Sequence, residues 1–348
     1  MSRTHGGDRA AYQREYGAEP LDFSANVSPL GVPEGVRAAL CAAAGEADRY
    51  PDPECRDLRE AIALREGLLA QWVLCGNGAS DLLCRAVWAT RPRRALVVAP
   101  SFTEYETAAE SVGCAVVRYS PSESFRVERD FLNLINDNIE IVILCNPNNP
   151  TGLTIDPALL RDIVRRCGET GSRLVVDECF VDFLDEPERH TLKGLLEGAP
   201  QLLLLKAFTK LYAMAGVRLG YALCADTAFL SAMRRCGPPW PVSVAAQRAG
   251  VSALQEKSYV NRLRTLIHRE REWMYLQLQS MGLLTVHGEA NFLLFQCSRP
   301  LETPLCERGI LLRRCGDFAG LDESWYRAAV RTHEDNVRLL AALREVLR

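Results

Sequence analysis

Residues Lys206 to Tyr221 read KAFTKLYAMAGVRLGY, and the apolar run Leu202 to Leu205 leads into them. A short, continuous apolar run flanked by polar residues reads as a buried strand. Lys210 follows it closely and is expected to lie partly out of water, where desolvation disfavours the ammonium form and lowers the pKa. A neutral amine can attack a carbonyl. Arg218 stands eight residues on, between Gly216 and Gly220. Its planar, permanently charged fork suits phosphate. The two glycines are expected to let the backbone turn tightly beside it. Most such lysine–arginine pairs are solvated surface charges, so this one gains meaning only from its company elsewhere in the chain.

From about residue 70 to 225 apolar strands alternate with helical segments. That βα pattern predicts an α/β fold with a mostly parallel sheet covered by helices on both faces. Val73 to Ser80 read VLCGNGAS, with a helical pattern from Asp81 to Trp88. Gly76 and Gly78 punctuate a strand-to-helix turn, and backbone N–H groups at such a helix start make an anion site. The dinucleotide fingerprint fails, because Asp81 stands at its third glycine. This disfavours a nicotinamide-dependent dehydrogenase. The strand Arg94 to Ala99 runs into Pro100, Ser101, Phe102 and Tyr105, aromatics that can cover a flat ring. The strand Glu140 to Cys145 ends in Asn146-Pro147-Asn148-Asn149-Pro150-Thr151-Gly152, a rigid turn. The strand Arg173 to Asp177 places a carboxylate at its C-terminal end, where ligands sit in parallel sheets; a helix cap is the competing reading. Near the C-terminus Arg313 follows an apolar run, and Arg327 and Arg331 lie four apart in YRAAVR. On one regular strand these two would share a face, and two guanidiniums there repel unless an anion bridges them.

Composition bounds the classes. The chain has 348 residues, 48% of them apolar, enough for a sizeable core. Its net charge of −3 argues against a nucleic-acid binder. Thirteen cysteines form no C-x-x-C, so neither a zinc site nor a thioredoxin motif is indicated, and each is expected to act as a small buried hydrophobe. No apolar run approaches the roughly 20 residues that span a bilayer, and MSRTHGGDRA has no signal-peptide core. No membrane partner and a reducing, cytoplasmic compartment are expected. The proline cluster Gly237-Pro238-Pro239-Trp240-Pro241 marks a boundary. The expected division is an N-terminal arm over 1–32 packing with the small domain, a large domain over 33–243, and a small α/β domain over 244–348.

The string T-K-x-x-x-x-A-G-x-R-x-G-Y (209–221) resembles the lysine signature of fold-type I pyridoxal phosphate (PLP) enzymes, the aspartate aminotransferase superfamily. Within it the chain is similar to the branch of histidinol-phosphate aminotransferases and threonine-phosphate decarboxylases, from His5 to about Leu347. The resemblance implies PLP as cofactor, with Lys210 as its covalent anchor. It implies that Gly78, Ala79, Ser80, Thr209 and Arg218 hold the cofactor phosphate, and that Phe102 stacks on the ring. Asn149 would serve the phenolic oxygen and Asp177 the ring nitrogen. Tyr50, in Y-P-D-P, would reach the phosphate in a neighbouring subunit, which implies a homodimer with shared sites. The H-G-G arm would close over the site and bring His5 to the substrate phosphate and Asn26 to the substrate. Arg327 would bind the substrate carboxylate, and Arg313 and Arg331 a substrate phosphate.

Four positions depart from the wider pattern. Ala207 stands where serine or threonine usually holds the phosphate, Lys206 where arginine is common, Phe180 where aminotransferases often carry tyrosine, and Ser243 where asparagine is usual. The H-G-G arm, D-F-S-A-N, Phe180 and P-P-W resemble the decarboxylases. The implied activity is decarboxylation of a small phosphorylated amino acid, L-threonine O-3-phosphate. Histidinol-phosphate transamination is the alternative. A non-catalytic PLP-binding module is disfavoured by the presence of Lys210.

Overall fold

The structure is a computed structural model and describes residues 6–348, so His5 lies outside the described residues. In chain order the strands are β1 (Leu21–Asp22), β2 (Val73–Gly76), β3 (Arg94–Val98), β4 (Ala115–Tyr119), β5 (Ile141–Cys145), β6 (Arg173–Asp177), β7 (Leu202–Ala207), β8 (Gly220–Leu223), β9 (Leu284–Thr285), β10 (Phe292–Gln296), β11 (Ile310–Leu311), β12 (Arg313–Arg314) and β13 (Trp325–Ala329). Seven of them form one sheet in the order β2-β8-β7-β6-β5-β3-β4. β3 to β7 are mutually parallel, and only β8 runs against its neighbours β7 and β2. The mostly parallel sheet is therefore present.

The central strands are apolar at successive positions because both faces are covered. Val142, Leu144, Val176 and Leu204 enter one core; Ile143, Val175, Leu203 and Leu205, one residue out of phase, enter the other. Each fully buried aliphatic side chain of this kind contributes about 1.5–3 kcal/mol.

The flanking helices start and stop on local chemistry. Asp156 accepts from the N–H groups of Ala158 and Leu159, Pro157 opens the helix Pro157–Thr170, and Gly171 closes it at φ 71°. Ser243, at the unusual position, caps the helix Val244–Ala253 by accepting from Ala246 N. That helix packs on the helices Glu34–Ala43 and Arg56–Glu66.

The C-terminal part holds a second sheet in the order β12-β13-β10-β9, all antiparallel. The N-terminal arm joins it through β1, which pairs in parallel with β11. Tyr12 anchors the arm further by donating to the Cys306 carbonyl at 2.6 Å. The arm thereby carries Ser24 to Asn26 to the mouth of a cavity between the large sheet and the C-terminal part. All thirteen cysteines are free, most of them buried or half-buried. Among the described residues no helix is long and apolar enough to cross a membrane.

Candidate active site

The C-terminal ends of β5, β6 and β7 open into a cavity of about 250 Å³, lined by Cys145, Asn149, Asp177, Ala207, Thr209 and Lys210 among others. Ligands collect at this end of parallel strands because the connecting loops diverge there.

Lys210 follows β7 on the short helix Phe208–Leu211, and its carbonyl accepts from Ser28 N at 2.9 Å, tying the lysine backbone to the arm. Burial pushes its pKa below the ordinary lysine value; the charge of Arg327 and, more weakly, Arg218 adds to this, while Cys179 and Asp177 oppose it. The shift favours the neutral, nucleophilic amine more than in a free lysine.

Asp177 is the last residue of β6 and is 8% exposed. Its Oδ2 accepts from the Tyr105 hydroxyl at 2.8 Å and its Oδ1 from Cys179 N at 2.9 Å. Tyr105, like Phe102, lines the cavity, and its hydroxyl is bound to Asp177. It sits edge-on to Phe102, with centroids 5.6 Å apart.

The asparagine-rich turn after β5 divides its labour. Asn146 accepts from Ile155 N at 2.9 Å, and Asn148 donates to the Pro100 carbonyl at 2.9 Å and to Thr151 Oγ1 at 3.1 Å. These bonds lock the loop. Asn149 alone turns its amide to the cavity, its Oδ1 taken by Arg327 Nη1.

The helix Ala79–Thr90 begins after Gly78 with no side-chain cap, so its first N–H groups remain available to an anion. Ala79 and Ser80 line the cavity, and so does the exposed Arg218, which makes no ion pair among the described residues. A Cβ on Gly78 would lie 2.7 Å from Arg218 Nη2. The turn holding Arg218 differs from expectation. Arg218 itself is left-handed (φ 61°), as is Ala213 (φ 54°), whereas Gly216 has no positive φ. Gly220 serves a different need, since a Cβ there would meet Ala79 N at 2.6 Å. Close approach of β8 to the helix start requires that glycine.

On the opposite wall stand Arg313 and Arg327, register partners on β12 and β13, 5% and 6% exposed. Arg327 Nη2 donates to the Ser24 carbonyl at 2.8 Å, while its buried Nε has no partner among the described residues. Burial lowers its pKa to about 10, with Arg313 adding to the shift; it remains cationic at neutral pH. Arg313 donates to Asp317 Oδ2 at 2.6 Å. Asn26 lines the cavity with a buried Oδ1 that has no partner among the described residues.

Arg331 corrects the expectation of a shared face. β13 ends at Ala329, so the two-residue periodicity does not carry to Arg331. It pairs with Asp335 at 3.0 Å and donates to the Asp22 carbonyl, and it does not line the cavity. Tyr50 does not line it either. It is 81% exposed and stacks on Trp240 at 4.6 Å. Residues not singled out from sequence also reach the cavity, notably Cys145, Cys179 and Phe318. The cysteines follow directly from their place at strand ends; Phe318 sits in a loop and carries no pattern.

A depressed lysine, an uncapped helix start beside an unpaired arginine, a carboxylate held by two donors, and orphaned polar atoms on Asn26 and Arg327 fit a group carrying an aldehyde, a phosphate and a basic ring nitrogen. PLP has all three.

Comparison with known proteins agrees. The family model "Aminotransferase class I and II" matches residues 18–343. The chain is 37% identical to threonine-phosphate decarboxylase of Salmonella typhimurium, across 100% of this chain and 97% of that protein. It is 34% identical to histidinol-phosphate aminotransferase of Symbiobacterium thermophilum, across 96% and 93%. In fold it matches the histidinol-phosphate aminotransferase of Sinorhizobium meliloti solved in complex with pyridoxal-5'-phosphate, with a TM-score of 0.88, 23% identity, and coverage of 100% of this chain and 96% of that one. The chain therefore belongs to the class I and II aminotransferase family, with the fold-type I architecture, and is a PLP-dependent enzyme.

Proposed function

We propose that the chain decarboxylates L-threonine O-3-phosphate, leaving aminopropanol phosphate. One observation carries this reading: Arg313 and Arg327 are register partners, both buried, on one wall of the cavity that holds Lys210. Arg313 is paired with Asp317 while Arg327 has no carboxylate partner among the described residues, so a substrate carboxylate on Arg327, with its phosphate toward Arg313, fits this wall. The full-length likeness to a threonine-phosphate decarboxylase supports the same reading.

PLP, when bound, supplies an electron sink for the pair left by a broken Cα bond. The chain supplies the rest. Lys210 would anchor the cofactor covalently, and once displaced by the substrate amine its ammonium would give Cα the proton that takes the place of the departing CO2. Asp177 would pair with the ring nitrogen, Phe102 would cover the ring, and the Asn149 amide would donate to the phenolic oxygen. Arg218, Thr209, Ser80 and the N–H groups following Gly78 would hold the cofactor phosphate. Arg327 grips the substrate carboxylate and so decides which Cα bond stands perpendicular to the ring. Arg313 receives the substrate phosphate, with Asn26 beside it. His5 remains a candidate for that phosphate from outside the described residues. Arg331, neutralised by Asp335, supports the arm at Asp22 instead. Tyr50, exposed and away from its own cavity, supports a homodimer in which it serves the neighbouring site. Thirteen free thiols support a reducing, cytoplasmic setting.

A second reading, transamination of histidinol phosphate, is supported by the 34% likeness to such an aminotransferase. A product assay on the PLP-loaded protein separates them. The expected result is CO2 from threonine phosphate without amino transfer to 2-oxoglutarate. Amino transfer without CO2 overturns decarboxylation and favours the second reading.

A further inference from the structure

Arg313 and Arg327 stand opposite each other on β12 and β13, yet their charges are met differently. Arg327 gives its two terminal nitrogens to neutral acceptors, Asn149 Oδ1 and the Ser24 carbonyl. Arg313 gives Nη1 to the Arg314 carbonyl at 2.7 Å and Nη2 to the Asp317 carboxylate at 2.6 Å. Both terminal nitrogens of Arg313 are therefore engaged within the protein, one of them by a full counter-charge. Arg313 lines the cavity and is buried, whereas Asp317 does not line it and its side chain is 33% exposed. The loop carrying Asp317 is firmly built. Phe318, the next residue, is buried in a cluster with Leu294, Cys315 and Trp325, and the Arg313 guanidinium carbon lies 5.2 Å from the centre of its ring. Phe318 N donates to the Cys315 carbonyl at 3.1 Å and Leu321 N to the Phe318 carbonyl at 3.0 Å. A fixed backbone thus presents Asp317 to Arg313, while the carboxylate, once released, has water to receive it.

We propose that Asp317 is a specificity-determining residue, a resident carboxylate that competes with the substrate phosphate for Arg313. This rests on the assignment of Arg313 to a substrate phosphate made above. To offer a phosphate both terminal nitrogens of its planar fork, Arg313 must leave Asp317. The partly solvated acid loses little in that exchange, and the buried guanidinium stays paired with an anion throughout. A doubly charged phosphate attracts the guanidinium more strongly than one carboxylate does and displaces Asp317. A side-chain carboxylate offers Arg313 nothing that Asp317 does not already supply, so acidic amino acids without phosphate are held off. The same competition weakens the hold on phosphate by the strength of the bond given up. A product that has lost its carboxylate no longer engages Arg327, so its phosphate on Arg313 governs release, and Asp317 speeds release by taking the guanidinium back.

The test is calorimetric binding of 4-phosphonobutyrate, glutarate and butyrate to the PLP-loaded full chain, at mildly alkaline pH where the phosphonate carries two charges. None of the three has an amine, so none reacts, and the result does not depend on which Cα bond the enzyme breaks. In the wild type glutarate is expected to bind no tighter than butyrate. Asp317→Asn keeps an oxygen for Arg313 and removes the charge. It is expected to tighten 4-phosphonobutyrate about tenfold, as for loss of a competing charge-assisted bond, to make glutarate tighter than butyrate, and to leave butyrate unchanged. In an Arg313→Met background the same substitution should change nothing. Unchanged or weaker binding of 4-phosphonobutyrate in Asp317→Asn, the outcome of a merely structural role, overturns the proposal, and so does an equal gain in the Arg313→Met background. Arg313→Met binding the phosphonate as well as the wild type does overturns the phosphate assignment and the proposal with it. With threonine phosphate, kcat and KM are expected to fall together in Asp317→Asn; an unchanged kcat overturns the part given to product release. If threonine phosphate gives no CO2 in the wild type, the decarboxylation reading falls alone, and the binding results still decide the part of Asp317.

Discussion

The Tyr105 hydroxyl donates to Asp177 Oδ2 at 2.8 Å while Cys179 N holds the other carboxylate oxygen. Tyr105 is 1% exposed and packed in the core, so its hydroxyl fixes the direction in which Asp177 faces the cavity. Removing its hydroxyl forfeits a bond to a charged group, about 1.5–3 kcal/mol. Tyr105→Phe is expected to keep PLP bound, as read by absorbance, and to lower kcat by about tenfold or more. An unchanged kcat would show that Asp177 orients itself.

Lys210 titrates below the ordinary lysine value because of burial and then Arg327. Its neutral, reactive form therefore grows as pH rises through that lowered pKa. The rate at which the apoprotein captures PLP is expected to rise with pH and level off below the roughly 10.4 of a free lysine. Arg327→Met removes one of the depressing charges and should move the profile to higher pH. Capture kinetics need no substrate, so the role of Arg327 in substrate binding does not confuse the reading; an unmoved profile would assign the shift to burial and Arg218.

Ala207 lines the cavity without a hydroxyl. Ala207→Ser adds a donor near the cofactor phosphate. An added hydrogen bond of about 0.5–1.5 kcal/mol predicts roughly two- to tenfold tighter PLP binding, measured by dialysis against graded cofactor. Weaker binding would mean the added oxygen points elsewhere.

Near the end of β7, Lys206 sits 4% exposed between Glu66 and Asp182, each 3.2 Å away, and Tyr221 donates to Glu66 at 2.6 Å. Burial alone would lower the lysine pKa, but Asp182, Glu66 and Glu178 outweigh it and raise it. Lys206→Met strands these carboxylates and is expected to cost about 3–5 kcal/mol in a urea titration. Lys206→Arg, which keeps the charge, should lose much less. Equal losses would point to packing rather than charge.

Tyr50 carries the dimer proposal. Mixed Tyr50→Ala and Lys210→Ala proteins, each inactive or nearly so alone, are expected to regain activity on subunit exchange. One mixed site then receives both an intact Lys210 and an intact Tyr50. No recovery, with exchange confirmed by sedimentation of tagged subunits, would confine Tyr50 to its own chain.

Much of this was legible before any coordinates. Strand runs such as Leu202–Leu205 predicted buried parallel strands because apolar residues at consecutive positions need two covered faces. Asp177 is legible because it ends such a strand and Asn149 because it lies in the rigid turn that follows one, where position along the chain and position in the sheet coincide. Arg331 was misread for the complementary reason: a period of two holds only while the strand lasts, and β13 stops at Ala329. The tight turn at Arg218 was assigned to glycines, yet tertiary contacts hold Ala213 and Arg218 themselves in the left-handed region.

The sequence by itself determined the sheet, the order of its strands' chemistry, and the lysine, aspartate and asparagine that meet at their ends, since local pattern and the parallel fold place these together. Only the tertiary structure decided that Tyr105 serves Asp177, and that Arg313 pairs across a sheet with Arg327 while Arg331 turns to Asp335. Each of those depends on contacts between segments distant in the chain or on where an element ends, and side-chain direction there is set by packing, which no local periodicity encodes.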